Sequence, residues 1–476
     1  MTSFSALFSL PQQSLERRRM VLGLLLMVAL VSGATLFGVL TRPVGFLAAL
    51  WPANALLLGL MLRLPWLFCP LGWVVALVAY LLPDLVLGTA VGRSVALALS
   101  NLAFVAVGAA IFRRFNPGEA RLDTPAVVLH VLLACIGGAL AATLCGSLLV
   151  RAAAPEMFSA GMLHMAGFWF SSELVNGILF LPLMLVRFER RGVLTNARQI
   201  APHSLPLILL CVSLLLAVQL DGPGRMGLPV PALLWCALSY SVTTTAFLSS
   251  LTSLLMMSLI SGTLTGEAVS HAYLDALFST RLGIALIALG PLTVGCVNTA
   301  RNDLLQRYQY LASHDHLTGV LDRGGFVGRA QPLLNLARER QDSVALMLLD
   351  IDHFKSVNDT HGHAAGDLVL QEFARIVEQS LRKQDIFGRT GGEEFSVMVE
   401  GVNLQVAQAM AERILRSVAE HPVALADGGP LHVTVSIGLV WYETPTSNEL
   451  DQLLQQADAA LYTAKAEGRN RVVLAG

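Results

Sequence analysis

Charge is scarce in this sequence. Only 14% of its 476 residues are Asp, Glu, Lys or Arg, where soluble domains carry about 25%, so a single soluble enzyme is excluded. The shortage is local: 26 charged side chains precede residue 300 and 39 follow it in a much shorter stretch. The mean hydropathy of +0.63 therefore belongs to the first part. A basic excess is missing from the second part, whose net charge is −7 against +6 for the first. That excludes nucleic acid as a partner, and it means that phosphate chemistry there requires a metal. Cysteine is absent beyond residue 300, and the six present (Cys69, Cys135, Cys145, Cys211, Cys236, Cys296) show no CxxC spacing. Neither a zinc site nor a disulfide framework follows from them.

What the first part has is apolar runs long enough to cross a bilayer, about 17–25 residues each. They lie at 20–40, 44–62, 64–88, 92–112, 126–149, 160–186, 204–220 and 281–299, and the stretch 229–264 is either one long tilted helix or two short ones. Residues 1–299 thus read as an all-α polytopic transmembrane domain of about ten spans. Arg17 to Arg19, Arg113 with Arg114, and Arg187, Arg190 and Arg191 fall on one side of the alternation, the cytoplasmic one. Two crossings by 229–264 bring the second part to that side, whereas a single crossing would put it outside. Asp84, Arg93, His164 and Glu173 lie within or beside the runs, each either at an interface, paired with a neighbouring helix, or serving a ligand pocket. Glu173, flanked by apolar residues on both sides, is the strongest candidate for the pocket. Trp51-Pro52 interrupts the second run in a way that can line a cavity. Many spans, this Trp-Pro break and a soluble C-terminal part resemble the membrane-associated sensor (MASE) regions of bacterial signalling proteins.

Residues 300–316 set Leu304, Leu305, Tyr308 and Leu311 at helical spacing, a stalk that either pairs with a second copy or packs on its own domain. From residue 317 to 476 the pattern alternates as an α/β domain: helices near 324–340, 366–382, 403–419 and 447–466, strands at 344–349, 385–389, 394–399 and 432–440. The strand at 344–349 is apolar without alternation, as a central strand covered on both faces is, and Asp350 leaves its end. Gly391-Gly392 permits a hairpin turn with positive φ and leaves the backbone bare, so that a phosphate or base can approach closely. Glu393 and Glu394 follow. Tandem glutamates ordinarily only solubilise an edge, but with Asp350 on the adjacent strand end they supply hard oxygen ligands for Mg²⁺, with Mn²⁺ as an alternative. Lys465 and Arg469, four apart at the end of the last helix, are candidate phosphate partners.

Together, LDIDHFKSVNDTHGH at 349–363, Gly366-Asp367, GGEEF at 391–395 and AKAEGRN at 464–470 closely resemble the GGDEF family of diguanylate cyclases, over about residues 312–474. The resemblance implies a nucleotide-cyclase fold akin to polymerase palms and the reaction 2 GTP → cyclic di-GMP + 2 pyrophosphate. By that resemblance, Asp350, Glu393 and the Ile351 carbonyl hold Mg²⁺, and Asn358 and Asp367 hydrogen-bond guanine. The backbone at Phe354 and Lys355, with Lys465 and Arg469, cradles the phosphates, and Glu394 supports metal and 3′-hydroxyl chemistry. Each domain holds one GTP, so a homodimer is implied, tethered to a lipid bilayer. Arg382-Lys-Gln-Asp385 matches the family's RxxD site for inhibition by cyclic di-GMP, with Arg413 as a secondary contact. Asp315, Leu317, Thr318 and Gly319 match the family's leading motif, whereas its usual Asn-Arg-Arg reads Asp322-Arg323-Gly324 here. His353 reads as a packing residue beside the site and His363 as a turn cap. The alternatives are a catalytically inactive GGDEF domain that binds GTP or cyclic di-GMP as a receptor, and a transporter with a regulatory tail.

Overall fold

The computed structural model describes residues 12–40, 50–158, 161–186, 197–220, 222–263, 271–425, 429–445 and 450–476. Arg187, Arg190 and Arg191, and the start of the 44–62 run, lie outside the described residues. The chain divides into two compact units, Met1–Asn302 and Asp303–Gly476.

The first unit is helical: α1 (Gln12–Leu40), α2 (Ala53–Arg63), α3 (Pro70–Val86), α4 (Val91–Phe115), α5 (Pro125–Ala153), α6 (Met162–Leu185), α7 (Ala197–Gln219), α8 (Val230–Ser239), α9 (Val242–Thr263) and α10 (His271–Leu311), the last running past the unit boundary. Six of these, α1, α4, α5, α6, α9 and α10, are long and apolar enough to cross a membrane. The other apolar stretches, α2, α3 and residues 204–219 of α7, are shorter. Trp51-Pro52 stands at the start of a helix: Pro52, which has no N–H to donate, is the N-cap of α2, and Pro65 follows its end. The 229–264 stretch is broken at Tyr240, whose extended backbone separates the ten-residue α8 from α9.

A polar cluster sits inside this unit, centred on Asn54, which is 1% exposed. The indole of Trp51 (3.3 Å) and the hydroxyl of Tyr80 (2.7 Å) donate to Asn54 Oδ1. Because an indole can only donate, this fixes which way the carboxamide faces, and Asn54 Nδ2 donates to Asn101 Oδ1 (3.1 Å) and Glu173 Oε2 (2.8 Å). Trp169 also bonds Glu173. One side chain thus joins α2, α3, α4 and α6 with both donors and both acceptor positions used. Asn54→Ala is expected to lower the thermal midpoint of the detergent-solubilised chain, at a cost of about 2 kcal/mol, and Glu173→Gln, which keeps an acceptor, by less. An unchanged midpoint for Asn54→Ala would show that the cluster does not hold the helices together. His164 pairs with Asp275 of α10 at 3.8 Å. Asp84 is buried near the end of α3, and Arg93 lies half-buried in the first turn of α4.

The second unit contains α11 (Arg323–Arg340), β1 (Val344–Ile351), α12 (Phe354–His361), α13 (His363–Gln379), β2 (Ile386–Arg389), β3 (Glu394–Glu400), α14 (Leu404–Glu420), β4 (Val423–Ala424), β5 (Pro430–Leu431), β6 (Val435–Tyr442), α15 (Leu450–Ala466) and β7 (Val472–Leu474). The five-stranded sheet has the order β2-β3-β1-β6-β7, with only β6 and β7 parallel. Central β1 has no apolar alternation because both of its faces are covered. Ala345, Met347, Leu349 and Ile351 join the core with Val369, Phe373 and Ile414 of α13 and α14, while Val344 and Leu346 join Phe326, Leu453 and Ala457 of α11 and α15. Gly438 lets α15 lie directly on β6: a Cβ there would come within 2.1 Å of the Ala457 carbonyl oxygen. Asp322 accepts from the Gly325 amide at 2.7 Å and caps α11, so the departure at 322–324 retains a capping residue.

Candidate active site at the ends of β1 and β3

Strand register brings the acidic residues to one edge of the sheet. Asp350, next to last in β1, pairs across with Glu394 of β3 on one side and Ser436 of β6 on the other, and the Ile351 amide approaches the Glu393 carbonyl at 3.4 Å. Phe395 anchors this end. It is fully buried, with its ring 4.7 Å from that of Phe373 and 5.7 Å from that of Phe387, so the two glutamates before it are held at the strand mouth. The Phe395 side chain contributes roughly 3–5 kcal/mol by the usual cost of truncating a buried aromatic.

The hairpin turn is built differently from its sequence expectation. Gly391 and Gly392 are not among the glycines with positive φ. A Cβ at Gly391 would meet Glu394 Oε2, the end of a flexible side chain, at 2.6 Å, and Gly392 faces open space. Arg389 fixes the turn, donating from Nε (3.1 Å) and Nη2 (2.6 Å) to the Gly392 carbonyl. Its Nη1 reaches both oxygens of Asp315, at 3.1 and 3.2 Å. Burial pushes the Asp315 carboxyl up, but hydrogen bonds from Thr318 and Arg389 outweigh that and leave it below the usual range.

Lys465, in the last turn of α15, places its Nζ 2.7 Å from Asp350 Oδ2. Burial nevertheless holds the Asp350 carboxyl above the ordinary range, against the pull of Lys465 and with Asp352 adding to the rise. Burial and then the Asp350 charge do the same to Glu393. Two carboxylates that each resist ionising beside the other fit a divalent cation, which relieves both. No cluster of three His, Cys, Asp or Glu side chains suited to a metal occurs among the described residues. The protein can therefore offer two carboxylates and the neighbouring carbonyl of Ile351, leaving positions for phosphate oxygens.

Arg469 is not on the helix with Lys465. Gly468, with φ 114°, ends α15, and Arg469 (64°) and Asn470 (45°) follow in the left-handed region. Asn358 lies over Gly366, where a Cβ would meet its Oδ1 at 2.0 Å, and so stands beside Asp367. Phe354 and Lys355 open α12, whose left-handed N-cap is His353. His353 is exposed rather than packed, and His363, also exposed, begins α13. At the RxxD segment, Asp385 Oδ2 accepts from the Arg382 amide at 2.8 Å. Arg413 donates to the Ser380 carbonyl at 2.7 Å, bringing it to the same segment with both arginine side chains exposed. Sequence reasoning passed over Arg389, a cation ending a four-residue strand, and Asp352, two residues after Asp350; that i, i+2 spacing was the available signal for the latter.

Comparison with known proteins gives matches for both units. The family described as diguanylate cyclase, GGDEF domain, matches residues 312–471. Over 453 residues, 93% of each chain, the sequence is 32% identical to a probable diguanylate cyclase, DgcF, of Escherichia coli O157:H7. Over 308 residues, 64% of this chain and 95% of the relative, it is 35% identical to the DgcF of Escherichia coli strain K12. Among solved structures, the coiled coil and GGDEF domain of DgcB from Caulobacter crescentus, in complex with c-di-GMP, is 30% identical; the match covers 37% of this chain and 92% of that one, with a TM-score of 0.36.

Proposed function

The chain belongs to the GGDEF family of diguanylate cyclases, and from that membership we propose that it condenses two GTP into cyclic di-GMP and two pyrophosphates at the Asp350–Glu393 edge while anchored in a bacterial cytoplasmic membrane. The observation that carries the reading is the buried Asp350 carboxylate, bridged by Lys465 and facing Glu393 across the strand end. Asp350, Glu393 and the Ile351 carbonyl would hold Mg²⁺. Bound there, the metal neutralises charge on the transferred phosphoryl group. Lys465 exchanges its carboxylate partner for a phosphate oxygen of GTP and, with Arg469 and the amides of Phe354 and Lys355, takes the terminal phosphates. Asn358 and Asp367 select guanine, and Glu394 supports activation of the 3′-hydroxyl. One domain holds one GTP, so two chains must meet with their sites opposed, and confinement by a bilayer raises their effective concentration. Six helices of spanning length and composition among the described residues support the membrane anchor, and the arginine clusters support a cytoplasmic cyclase, which the membrane unit would regulate.

The test is direct: the purified chain with Mg²⁺ should convert GTP to cyclic di-GMP and pyrophosphate and leave ATP untouched. GTP binding without product from any preparation would favour the receptor reading, which the joint presence of Asp350, Glu393 and Lys465 argues against. Arg382 and Asp385, with Arg413 adjacent, serve as a product site. Added cyclic di-GMP should slow the wild type, and Arg382→Ala should relieve that slowing by at least about tenfold in inhibitory concentration at an unchanged initial rate. Equal inhibition of both proteins would remove the site.

A further inference from the structure

Asp352 is 5% exposed and lies one residue beyond β1. Its carboxylate accepts three hydrogen bonds from neutral donors. Ser436 Oγ reaches Oδ1 at 2.7 Å, Thr434 Oγ1 reaches Oδ2 at 2.7 Å, and the backbone amide of Asn470 reaches Oδ2 at 3.1 Å. Its own amide donates to the Thr434 carbonyl at 2.9 Å. The carboxylate is thereby fastened to β6 and its leading residues, and it reaches across the chain to one atom of the turn after α15.

That turn needs fastening. Arg469 and Asn470 are consecutive non-glycine residues at positive φ, 64° and 45°, a conformation that asparagine tolerates but that costs an arginine about 1–2 kcal/mol unless its surroundings hold it. The Arg469 amide bonds back to the Ala464 carbonyl at 3.0 Å and the Arg471 carbonyl accepts from Ile437 at 2.9 Å, which ties the two ends of the turn. Between them, the amide of Asn470 has Asp352 as its partner. Arg469, itself exposed, is near enough to pull on the charge of Asp350.

We propose that Asp352 is a positioning residue for the phosphates of GTP: by pinning the Asn470 amide it fixes the left-handed turn that aims Arg469 at the Asp350–Lys465 end of the sheet, without touching substrate itself. This rests on the assignment of that edge as the GTP site. Asp352 acts through Arg469, so its removal should weaken nucleotide binding more than turnover, and only while Arg469 is present.

The test uses the full chain in detergent and reads two quantities separately: affinity for a fluorescent GTP analogue, and the KM and kcat of cyclic di-GMP formation. Asp352→Ala should weaken binding and raise KM about tenfold, with kcat changed less than threefold. Asp352→Asn should restore most of the affinity, because a carboxamide oxygen can accept from Asn470 and Thr434 while its amide donates to Ser436. In an Arg469→Ala background, Asp352→Ala should add no further loss. If Asp352→Ala fails to fold, Asp352→Ser, which is too short to reach Asn470, takes its place. Additive losses in the double variant, or equal falls in kcat and affinity that asparagine does not rescue, would overturn the proposal. A wild type that binds the analogue but makes no product would refute the cyclase reading and leave the binding test of Asp352 standing, whereas one that binds no GTP would refute both.

Discussion

Replacing Asp350 by Asn, or Glu393 by Gln, is expected to abolish cyclic di-GMP formation, a loss of at least about 10³-fold in kcat, since the transferred phosphoryl group then loses the charge stabilisation on which its transfer depends. The fold should survive. Asp350 is held above the ordinary carboxylate range mainly by burial, so a neutral side chain of the same shape removes a desolvation cost, and Lys465, one-third exposed, can turn to water. Product measured by chromatography, alongside thermal midpoints within a degree or two of wild type, separates a chemical from a structural failure. Turnover at the wild-type rate by the double variant would show that these carboxylates are not the metal ligands.

Gly438→Ala is expected to act in the opposite sense, destroying structure and, through it, activity. The added methyl group would sit 2.1 Å from the Ala457 carbonyl oxygen and 2.4 Å from the Leu461 amide nitrogen. Both are backbone atoms of α15 that no rotamer change can move. Helix and strand must separate, at a cost of about 3 kcal/mol, and α15 carries Lys465 away from Asp350. Limited proteolysis of the full chain should show faster cleavage within residues 303–476. Gly392→Ala, with nothing within 4 Å of the new atom, is the matched control and should leave proteolysis unchanged. Equal resistance of the two variants would mean that the α15–β6 contact tolerates a wider spacing.

Asp350, Glu393 and Glu394, which the structure brings to one end of the sheet, stood out in the sequence through motifs in fixed order, and β1 because its apolar run ends in a carboxylate. Other features depend on contacts that no local pattern encodes. Helix α12 is only eight residues long and buries only Phe354 and Val357, too few to establish a period. Lys465 and Arg469 share helical spacing, yet Gly468 lies between them and ends the helix, so the spacing misled. The glycines of the hairpin suggested positive φ, which neither of them adopts. In the helical unit, hydropathy marked the apolar run at 44–62 without marking that Pro52 would stand at the start of α2. Glu173 stood out by its charge, whereas Asn54, an amide inside an apolar segment, did not, although Asn54 is the residue that joins the others.

The Asn54 cluster also sets an order of events during biogenesis. As the polypeptide leaves the ribosome, Trp51 and the helices α2, α3 and α4 emerge first, bringing the Trp51 indole, Tyr80 and Asn101 that meet Asn54. Two acceptors come much later: Glu173 Oε2 for the Asn54 amide and Asn176 Oδ1 for the Trp51 backbone amide at 2.9 Å, both on α6. Until synthesis has passed residue 176, the early helices hold polar hydrogens without these partners in an apolar setting, where such groups are costly. The insertion machinery must therefore tolerate a loosely assembled intermediate. Arrival of α6 is the step that locks it, and a chain truncated before α6 should be a substrate for membrane quality-control proteolysis rather than a stable fragment.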